Sequence, residues 1–207
     1  MLIALLPLAA VAGVQPLVRT ANGHPATLVT LAGHGRFLFV VDTGASASAV
    51  HEHTRARLGL VPEPGAPIEM HGAAGSQRIH RYRLPRLTLA GVAADRLLVS
   101  GLPEGVRHGE DVMGVLGRDV FGTRLVEFDL PGGRLGLHRA GAVPASARGW
   151  HVVPVRLMPG TGLVVLEVSL EGRPVTAVLD TGARQTFVNW HAARAAGIEP
   201  GAPGLVR

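Results

Sequence analysis

The chain has no cysteine and no lysine among its 207 residues. Without cysteine, disulfides, thiolate metal ligands and a cysteine nucleophile are excluded. Because lysine is absent, arginine alone supplies the 20 basic side chains behind the net charge of +5. These arginines are scattered along the chain, whereas nucleic-acid binding needs basic residues gathered on one face. Serine, histidine or carboxylate side chains must therefore perform any chemistry, and we expect no nucleic-acid partner.

Charged residues are also scarce, at 17% of the chain against 47% hydrophobic residues. This composition excludes an intrinsically disordered protein and allows one substantial core or two small lobes. The apolar run at residues 1–12 is too short to span a bilayer and ends in small residues, as a signal peptide does. We therefore expect export to the periplasm or the extracellular space, without stable membrane insertion after cleavage. A buried first strand is the alternative for this segment.

An internal repeat organises the rest of the sequence. A shift of 138 positions lays Val40–Ala45 on Val178–Ala183, so that Asp-Thr-Gly-Ala meets Asp-Thr-Gly-Ala. The same shift brings together pairs of identical residues further on, among them His53 with His191 and Gly59 with Gly197. Self-similarity of this kind indicates a duplicated structural unit.

The apolar pattern predicts an all-β fold in which each unit has two strands, an Asp-Thr-Gly loop and a short helix. We expect a signal peptide at 1–12, a complete lobe at 24–139, a linker at 140–150 and a partial second lobe at 151–207. The predicted strands of the first lobe cover residues 26–32, 36–41, 68–71, 79–84, 86–90, 96–99, 126–130 and 134–137, and its predicted helix covers 52–58.

The second lobe is predicted to be incomplete at its C-terminal end. Counterparts of the first lobe's later strands would fall beyond Arg207. We therefore expect the full gene product to continue for about fifty residues and to carry a second apolar-apolar-Gly segment near about position 255. A homodimer in which each first lobe donates Asp42 is the alternative active form.

The two Asp-Thr-Gly loops suit a pair of catalytic carboxylates, Asp42 and Asp180. In each loop the glycine, Gly44 or Gly182, lets the backbone turn sharply beside the carboxylate. The threonine, Thr43 or Thr181, offers a hydroxyl that can hydrogen-bond the opposite loop. One such loop is a weak signal because Asp-Gly turns are common, but two loops in register are a strong one.

With these motifs the sequence resembles the retropepsin-like and pepsin-like aspartic proteases. The resemblance includes a later apolar-apolar-Gly motif followed by Arg-Asp, here Val115–Asp119. It implies a β-barrel lobe in which Leu116 and Gly117 support the catalytic loop from behind. It also implies a flap whose tip contacts a bound peptide together with Gly44 and Gly182; the implied tip residues are Ala73, Ala74 and Gly75. Viral retropepsins often carry an acidic residue after Asp-Thr-Gly-Ala, where this chain has Ser46 and Arg184, so close similarity to them is not implied.

The expected activity is that of an aspartic endopeptidase acting on peptides or proteins. Two carboxylates about 3 Å apart share one proton, and aspartic proteases are themselves the standard example of this effect. The pair activates a water molecule, so neither a metal nor a cofactor is needed. Because Ala45 and Ala183 cannot donate a hydrogen bond where pepsin-like enzymes carry a hydroxyl, we expect a working pH nearer neutral.

Other chemistries fit the sequence less well. The histidines at His51 and His53 lack a His-Glu-x-x-His motif, and on a helix they would point to different faces, which argues against zinc. Ser46 and Ser48 lack the Gly-x-Ser-x-Gly context of a serine hydrolase nucleophile. A phosphotransferase of the actin and hexokinase type would need many more helices. A catalytically silent β-domain that binds peptide or a partner protein remains the alternative.

Overall fold

The computed structural model describes residues 13–72, 75–103, 108–142 and 149–202, which form sixteen strands and three short helices. The strands are β1 Val14–Arg19, β2 Pro25–Leu31, β3 Gly35–Val41, β4 Ala49–Val50, β5 Ile68–Gly72, β6 Gly75–Ile79, β7 Arg81–Arg83, β8 Leu87–Leu89, β9 Val92–Ala94, β10 Leu98–Gly101, β11 Val112–Leu116, β12 Leu125–Asp129, β13 Arg134–His138, β14 Arg156–Leu157, β15 Val164–Leu170 and β16 Arg173–Val178. The helices are α1 Glu52–Leu58, α2 Arg118–Phe121 and α3 Trp190–Ala195. The predicted signal peptide, most of the predicted linker, and Ala73 and Ala74 lie outside the described residues.

The eleven-stranded sheet of the first lobe is built around β3 and β11. Phe39, Val40 and Val41 at the end of β3 are fully buried, which fits the continuous apolar run of a strand covered on both faces. The strand β11 lies parallel to β3 and antiparallel to β4, and all five of its residues are buried. The order of the sheet is β12-β13-β1-β2-β3-β11-β4-β10-β7, so β11 sits in its interior beside the strand that leads to Asp42.

The strand β1 was not predicted from the sequence. It pairs antiparallel with β2 on one side and with β13 on the other. The pairing with β13 joins the beginning of the described chain to the end of the first lobe. Pro16 lies within β1 and has no amide hydrogen to donate to a neighbouring strand. The contact with the β13 side continues at the next residue, because the amide of Leu17 donates to the carbonyl of Gly133 at 2.8 Å.

The predicted flap is a separate two-stranded hairpin of β5 and β6. Its register pairs Ile68 with Ile79 and Gly72 with Gly75. The prediction that the returning strand begins at Ile79 was wrong, because the antiparallel ladder extends up to the tip and the returning strand begins at Gly75. The predicted strand at 79–84 is replaced by the end of β6 and the separate strand β7.

The second unit repeats the beginning of the first. Its strands β14, β15 and β16 form a three-stranded sheet in the same order as β1, β2 and β3, followed by the Asp-Thr-Gly loop and α3. Val178 and Leu179 are 43% and 50% exposed, whereas Val40 and Val41 at the repeated positions are 0% exposed. The difference arises because β11 covers β3, and β16 has no such neighbour among the described residues.

Within the part of the chain that the structure describes, no helix is both long and apolar enough to cross a membrane.

Candidate active site

The two Asp-Thr-Gly loops follow equivalent strands, β3 and β16. The amide of Asp42 donates to the carbonyl of Leu116 at 3.0 Å, which fastens the first loop to the end of β11. The amide of Leu179, just before the second loop, donates to the carbonyl of Val164 at 2.9 Å. Each loop is therefore held by its own sheet, and the sequence places the aspartate where the strand ends.

A reciprocal exchange between Thr43 and Thr181 joins the two loops. The amide of each threonine donates to the hydroxyl oxygen of the other at 3.0 Å. Each hydroxyl in turn donates across the loops at 2.7 Å, from Thr43 to the carbonyl of Leu179 and from Thr181 to the carbonyl of Val41. Four hydrogen bonds thus fix the two loops against each other, as expected from the threonine at this place in the motif.

The aspartates face each other across this junction. A Cβ atom added to Gly44 would lie 2.5 Å from Cγ of Asp180, and one added to Gly182 would lie 2.5 Å from Oδ2 of Asp42. Any residue larger than glycine would therefore collide with the opposite carboxylate. Each carboxylate also accepts hydrogen bonds within its own loop: Oδ1 of Asp42 accepts from the amide of Gly44 at 2.7 Å, and Oδ1 of Asp180 accepts from that of Gly182 at 2.8 Å.

The pKa of Asp42 is raised from 3.8 to about 6. Burial is the main cause, the negative charge of Asp180 is the second, and the amides of Gly44 and Ala45 oppose both by stabilising the ionised form. The two environments differ, because Asp42 is half-buried whereas Asp180 is exposed. This arrangement favours one shared proton, held on the buried side of the pair.

Comparison with known proteins concerns the first lobe. Residues 27–120 match the family model of the aspartyl proteases. The first lobe therefore carries the sequence pattern of the aspartyl protease family. Among similar solved structures is a retropepsin-like aspartic protease from Rickettsia conorii, with 17% sequence identity and a TM-score of 0.45; the match covers 62% of this chain and 92% of that chain. A search of the curated proteins found no match.

In the first lobe, Leu116 and Gly117 lie against the Asp42 loop, and Ser48 and Asp119 form hydrogen bonds beside them. The side chain of Asp119 accepts from the amide of Ser48 and from its hydroxyl, the latter at 2.7 Å. The Ser48 oxygen accepts from the amide of Gly117 at 3.0 Å. A Cβ at Gly117 would lie 2.6 Å from the backbone carbon of Ala47, so this crossing requires glycine.

Sequence reasoning considered Ser48 only as a hydrolase nucleophile and assigned Asp119 no role. Asp119 closes the Leu-Gly-Arg-Asp motif, and this acidic residue was the available signal. A carboxylate beside the glycine of that motif needs hydrogen-bond donors, so a nearby donor such as Ser48 could have been expected.

The flap assignment is only partly described. Gly75 lies at the tip of the β5–β6 hairpin with φ of +108°. A Cβ atom there would meet nothing within 4 Å, so the described part of the tip is open. None of the described hydrogen bonds joins Gly75 to either aspartate loop, and Ala73 and Ala74 lie outside the described residues.

Four histidines lie close together beside the site, which the sequence had not indicated: His24, His51, His53 and His108. The rings of His51 and His53 are stacked 5.4 Å apart, so the expectation that they point to different faces was wrong. The reason is that His51 is the N-cap of α1, with extended backbone, and only His53 lies in the helix. Among the described residues no group of three or more histidine, aspartate or glutamate side chains could hold a metal ion.

Proposed function

We propose that this chain is an aspartic endopeptidase whose catalytic carboxylates are Asp42 and Asp180. The observation that carries the proposal is the interlock of Thr43 with Thr181, which sets the two aspartates opposite each other with room only for glycine beside them. The aspartyl protease family supports a protease-like function. The family match ends before Asp180, so the assignment of the second carboxylate rests on the repeated Asp-Thr-Gly motif and on the geometry.

The proposed reaction uses a water molecule held between the carboxylates. Asp42 carries the shared proton because burial and the charge of Asp180 raise its pKa. Asp180 accepts a proton from the water as the water oxygen attacks the peptide carbonyl carbon. The proton on Asp42 moves to the carbonyl oxygen, where negative charge develops. When the carbon–nitrogen bond breaks, Asp180 gives its proton to the departing amine and Asp42 regains a proton from one hydroxyl of the tetrahedral intermediate, so the pair returns to its starting state.

The substrate is proposed to be an extended segment of a peptide or protein. Gly44 and Gly182 leave the carboxylate surfaces accessible to a backbone, and the open hairpin that carries Gly75 would cover the bound segment. The reaction as proposed uses no cofactor. Export remains our proposal on the strength of the apolar segment at residues 1–12.

A catalytically silent peptide-binding domain is the second candidate. The observation that favours it is the exposure of Val178 and Leu179, which directly precede Asp180. The corresponding residues before Asp42, Val40 and Val41, are buried. A domain in this state could retain the cleft without holding Asp180 firmly enough for catalysis.

Cleavage of fluorescent casein with and without pepstatin tests the proposal. An aspartic endopeptidase will release fluorescent fragments, and pepstatin will stop the release. Binding of an unlabelled peptide without cleavage, measured under the same conditions, would instead support the silent domain. If neither cleavage nor binding occurs, both candidates fail for this chain.

A further inference from the structure

Two arginines meet at the turn between β1 and β2, beside the loop that carries Asp180. Nη1 of Arg19 donates to the carbonyl of Gly23 at 3.2 Å. Nε of Arg184 would lie 4.0 Å from a Cβ atom added to Gly23. We propose that Arg19 and Arg184 form a subsite for a carboxylate of the peptide substrate, and that Arg184 selects it. The inference names a substrate class for the proposed cleft and therefore rests on the proposed function.

The turn holds both arginines next to the second unit. The amide of Thr20 donates to the carbonyl of His24 at 2.9 Å, and the amide of Gly23 donates to the carbonyl of Thr20 at 2.8 Å, so the turn is closed by its own hydrogen bonds. Nδ1 of His24 lies 2.9 Å from the carbonyl oxygen of Gly182, which places the turn against the Asp180 loop. The guanidinium groups beside Gly23 therefore lie at the junction of the two units, on the side of Asp180.

The backbone of Arg184 begins close to the carboxylate of Asp180. The amide of Ala183, the preceding residue, donates to Oδ1 of Asp180 at 3.1 Å. Consecutive Cα atoms are about 3.8 Å apart, so Arg184 starts one such step from a residue that touches the carboxylate. We expect an extended peptide that lies across both aspartates to pass this position on its way out of the pair. One of its side chains then comes within reach of the Arg184 guanidinium.

The exposure of Arg184 does not depend on the uncovered state of the second sheet. Ser46 occupies the corresponding place after the Asp42 loop, and it is exposed although β11 covers β3 in the first lobe. Arg184 is exposed as well. The position after the loop thus faces solvent in both units, and a side chain there is available to a ligand.

Neither arginine has a carboxylate partner among the described residues. None of the described salt bridges includes Arg19 or Arg184, and none of the described hydrogen bonds uses the guanidinium of Arg184. A guanidinium presents a planar fork of N–H donors that matches the two oxygens of a carboxylate. Two neighbouring positive charges also repel each other, and a carboxylate bound beside them offsets this repulsion.

Such a subsite changes which peptides the cleft accepts. The two aspartates share one proton and keep one negative charge, which repels an acidic substrate residue nearby. The positive charges of Arg19 and Arg184 oppose that repulsion beside the Asp180 loop, whereas the uncharged Ser46 follows the Asp42 loop. We therefore expect a preference for an acidic residue on the side of the scissile bond that passes Arg184.

A third arginine at the junction provides a matched comparison. Nε of Arg118 would lie 3.4 Å from a Cβ atom added to Gly162, on the turn between β14 and β15. Arg118 belongs to α2 rather than to an Asp-Thr-Gly loop, and it is half-buried where Arg184 is exposed. Its removal changes the net charge by the same amount without touching the proposed subsite.

Binding of uncleavable peptides tests the inference without relying on activity. In short statine-centred peptides an alcohol replaces the bond to be cleaved. Each peptide carries one glutamate, or the uncharged glutamine, at a chosen position on either side of the statine, and both of its ends are blocked. A glutamine peptide with a free C-terminal carboxylate tests the other source of the same group. Fluorescence anisotropy measures Kd for the wild type, Arg184→Gln, Arg184→Lys and Arg118→Gln.

We expect glutamate on one side of the statine to bind about two- to fivefold more tightly than glutamine at low salt, as for an exposed ion pair. The ratio will approach one at about 0.5 M salt, because salt screens exposed charges. Arg184→Gln will abolish the preference and leave the Kd of the blocked glutamine peptides unchanged, so a loss of fold is distinguished from a loss of charge. Arg184→Lys will keep part of the preference, and Arg118→Gln will keep all of it.

Two further results decide the source of the carboxylate and the fate of the inference. Tighter binding of the free-carboxylate peptide alone, again lost in Arg184→Gln, would assign the subsite to the C-terminus of a substrate. A preference for glutamate that survives Arg184→Gln would overturn the inference. So would equal Kd values for every carboxylate-bearing peptide and its glutamine control in the wild type.

Casein cleavage separates the failure of this inference from the failure of the proposed function. Cleavage of casein without any carboxylate preference would leave the endopeptidase standing and show that the subsite is wrong. A preference that depends on Arg184 without cleavage would place the subsite in a silent peptide-binding domain and refute the endopeptidase. If none of the peptides binds, the subsite is wrong whatever the casein result.

Discussion

Thr43 and Thr181 donate their backbone amides to each other's hydroxyl oxygens at equal distances of 3.0 Å. The equality shows that the two loops meet with local two-fold symmetry, although the sheets that carry them differ in size. The symmetry is confined to the loops themselves. Beyond the loops, Val40 is buried whereas its counterpart Val178 is exposed. The strand that leads to Thr43 is therefore covered by its neighbours, and the strand that leads to Thr181 is exposed among the described residues.

Removing one threonine hydroxyl will destabilise the junction. Thr43→Val keeps the shape of the side chain but leaves the amide of Thr181 without its acceptor and the carbonyl of Leu179 without its donor. A buried unsatisfied group costs about 1–3 kcal/mol, so the melting temperature will fall by several degrees. Thr43→Ser retains the hydroxyl and serves as the control. Equal melting temperatures for the valine variant and the wild type would show that the interlock contributes little to the free energy of unfolding.

The two aspartates will prove equally necessary if they act as one pair within a chain. Asp42→Asn and Asp180→Asn each remove a carboxylate with little change in volume, so both variants will lose casein cleavage while thermal melting shows an intact fold. A fully active Asp180→Asn variant beside an inactive Asp42→Asn variant would instead indicate a homodimer of first lobes. Wild-type activity in both variants would refute the protease proposal.

The third prediction concerns the stability that the contact between Ser48 and Asp119 gives to the folded protein. Asp119→Ala leaves the amide and hydroxyl of Ser48 without their acceptor and disturbs the hydrogen bond from Gly117 to Ser48. We expect a loss of about 1–3 kcal/mol in the free energy of unfolding. Asp119→Asn keeps one acceptor oxygen and will lose less. Chemical denaturation measures both, and an alanine variant as stable as the wild type would show that this contact does not support the loop.

The sequence predicted the local elements on either side of the Asp42 loop well. The helix at 52–58 has the predicted bounds, and Gly59 at its end has the left-handed conformation expected of a C-terminal glycine. The strands predicted at 26–32 and 36–41 lie within one residue of β2 and β3 at each end. These elements follow from apolar periodicity and turn residues, which neighbouring positions encode.

Contacts between distant parts of the chain were the ones that sequence reasoning missed. Ser48 and Asp119 are 71 positions apart, and His24 and Gly182 are 158 positions apart. Periodicity carries no information about such pairs, because the pairing depends on how β11 crosses behind the Asp42 loop and on how the second unit meets the first. Only the Asp-Thr-Gly repeat revealed a long-range relationship, since both of its halves carry the same letters.

The last prediction concerns the pH dependence of stability, which the raised pKa of Asp42 determines. In the unfolded chain this carboxyl releases its proton near its ordinary pKa of 3.8, whereas in the folded protein it holds the proton up to about pH 6. The folded state therefore binds more protons between these values, and the free energy of unfolding falls as pH rises through this window. The stabilising contribution is fully present below about pH 3.8 and is lost above about pH 6, with a size on the order of 1–3 kcal/mol.

Asp42→Asn removes this titration, so the variant will lack the decline and will gain stability relative to the wild type as pH rises from about 4 to about 7. The lowered pKa of His108 acts with the opposite sign, since an unfolded histidine binds protons that the folded one refuses, but it is common to both proteins and cancels in their difference. The measurement is urea denaturation of the wild type and Asp42→Asn at closely spaced pH values. A difference in the free energy of unfolding that stays constant with pH would show that Asp42 does not hold the shared proton in the folded protein.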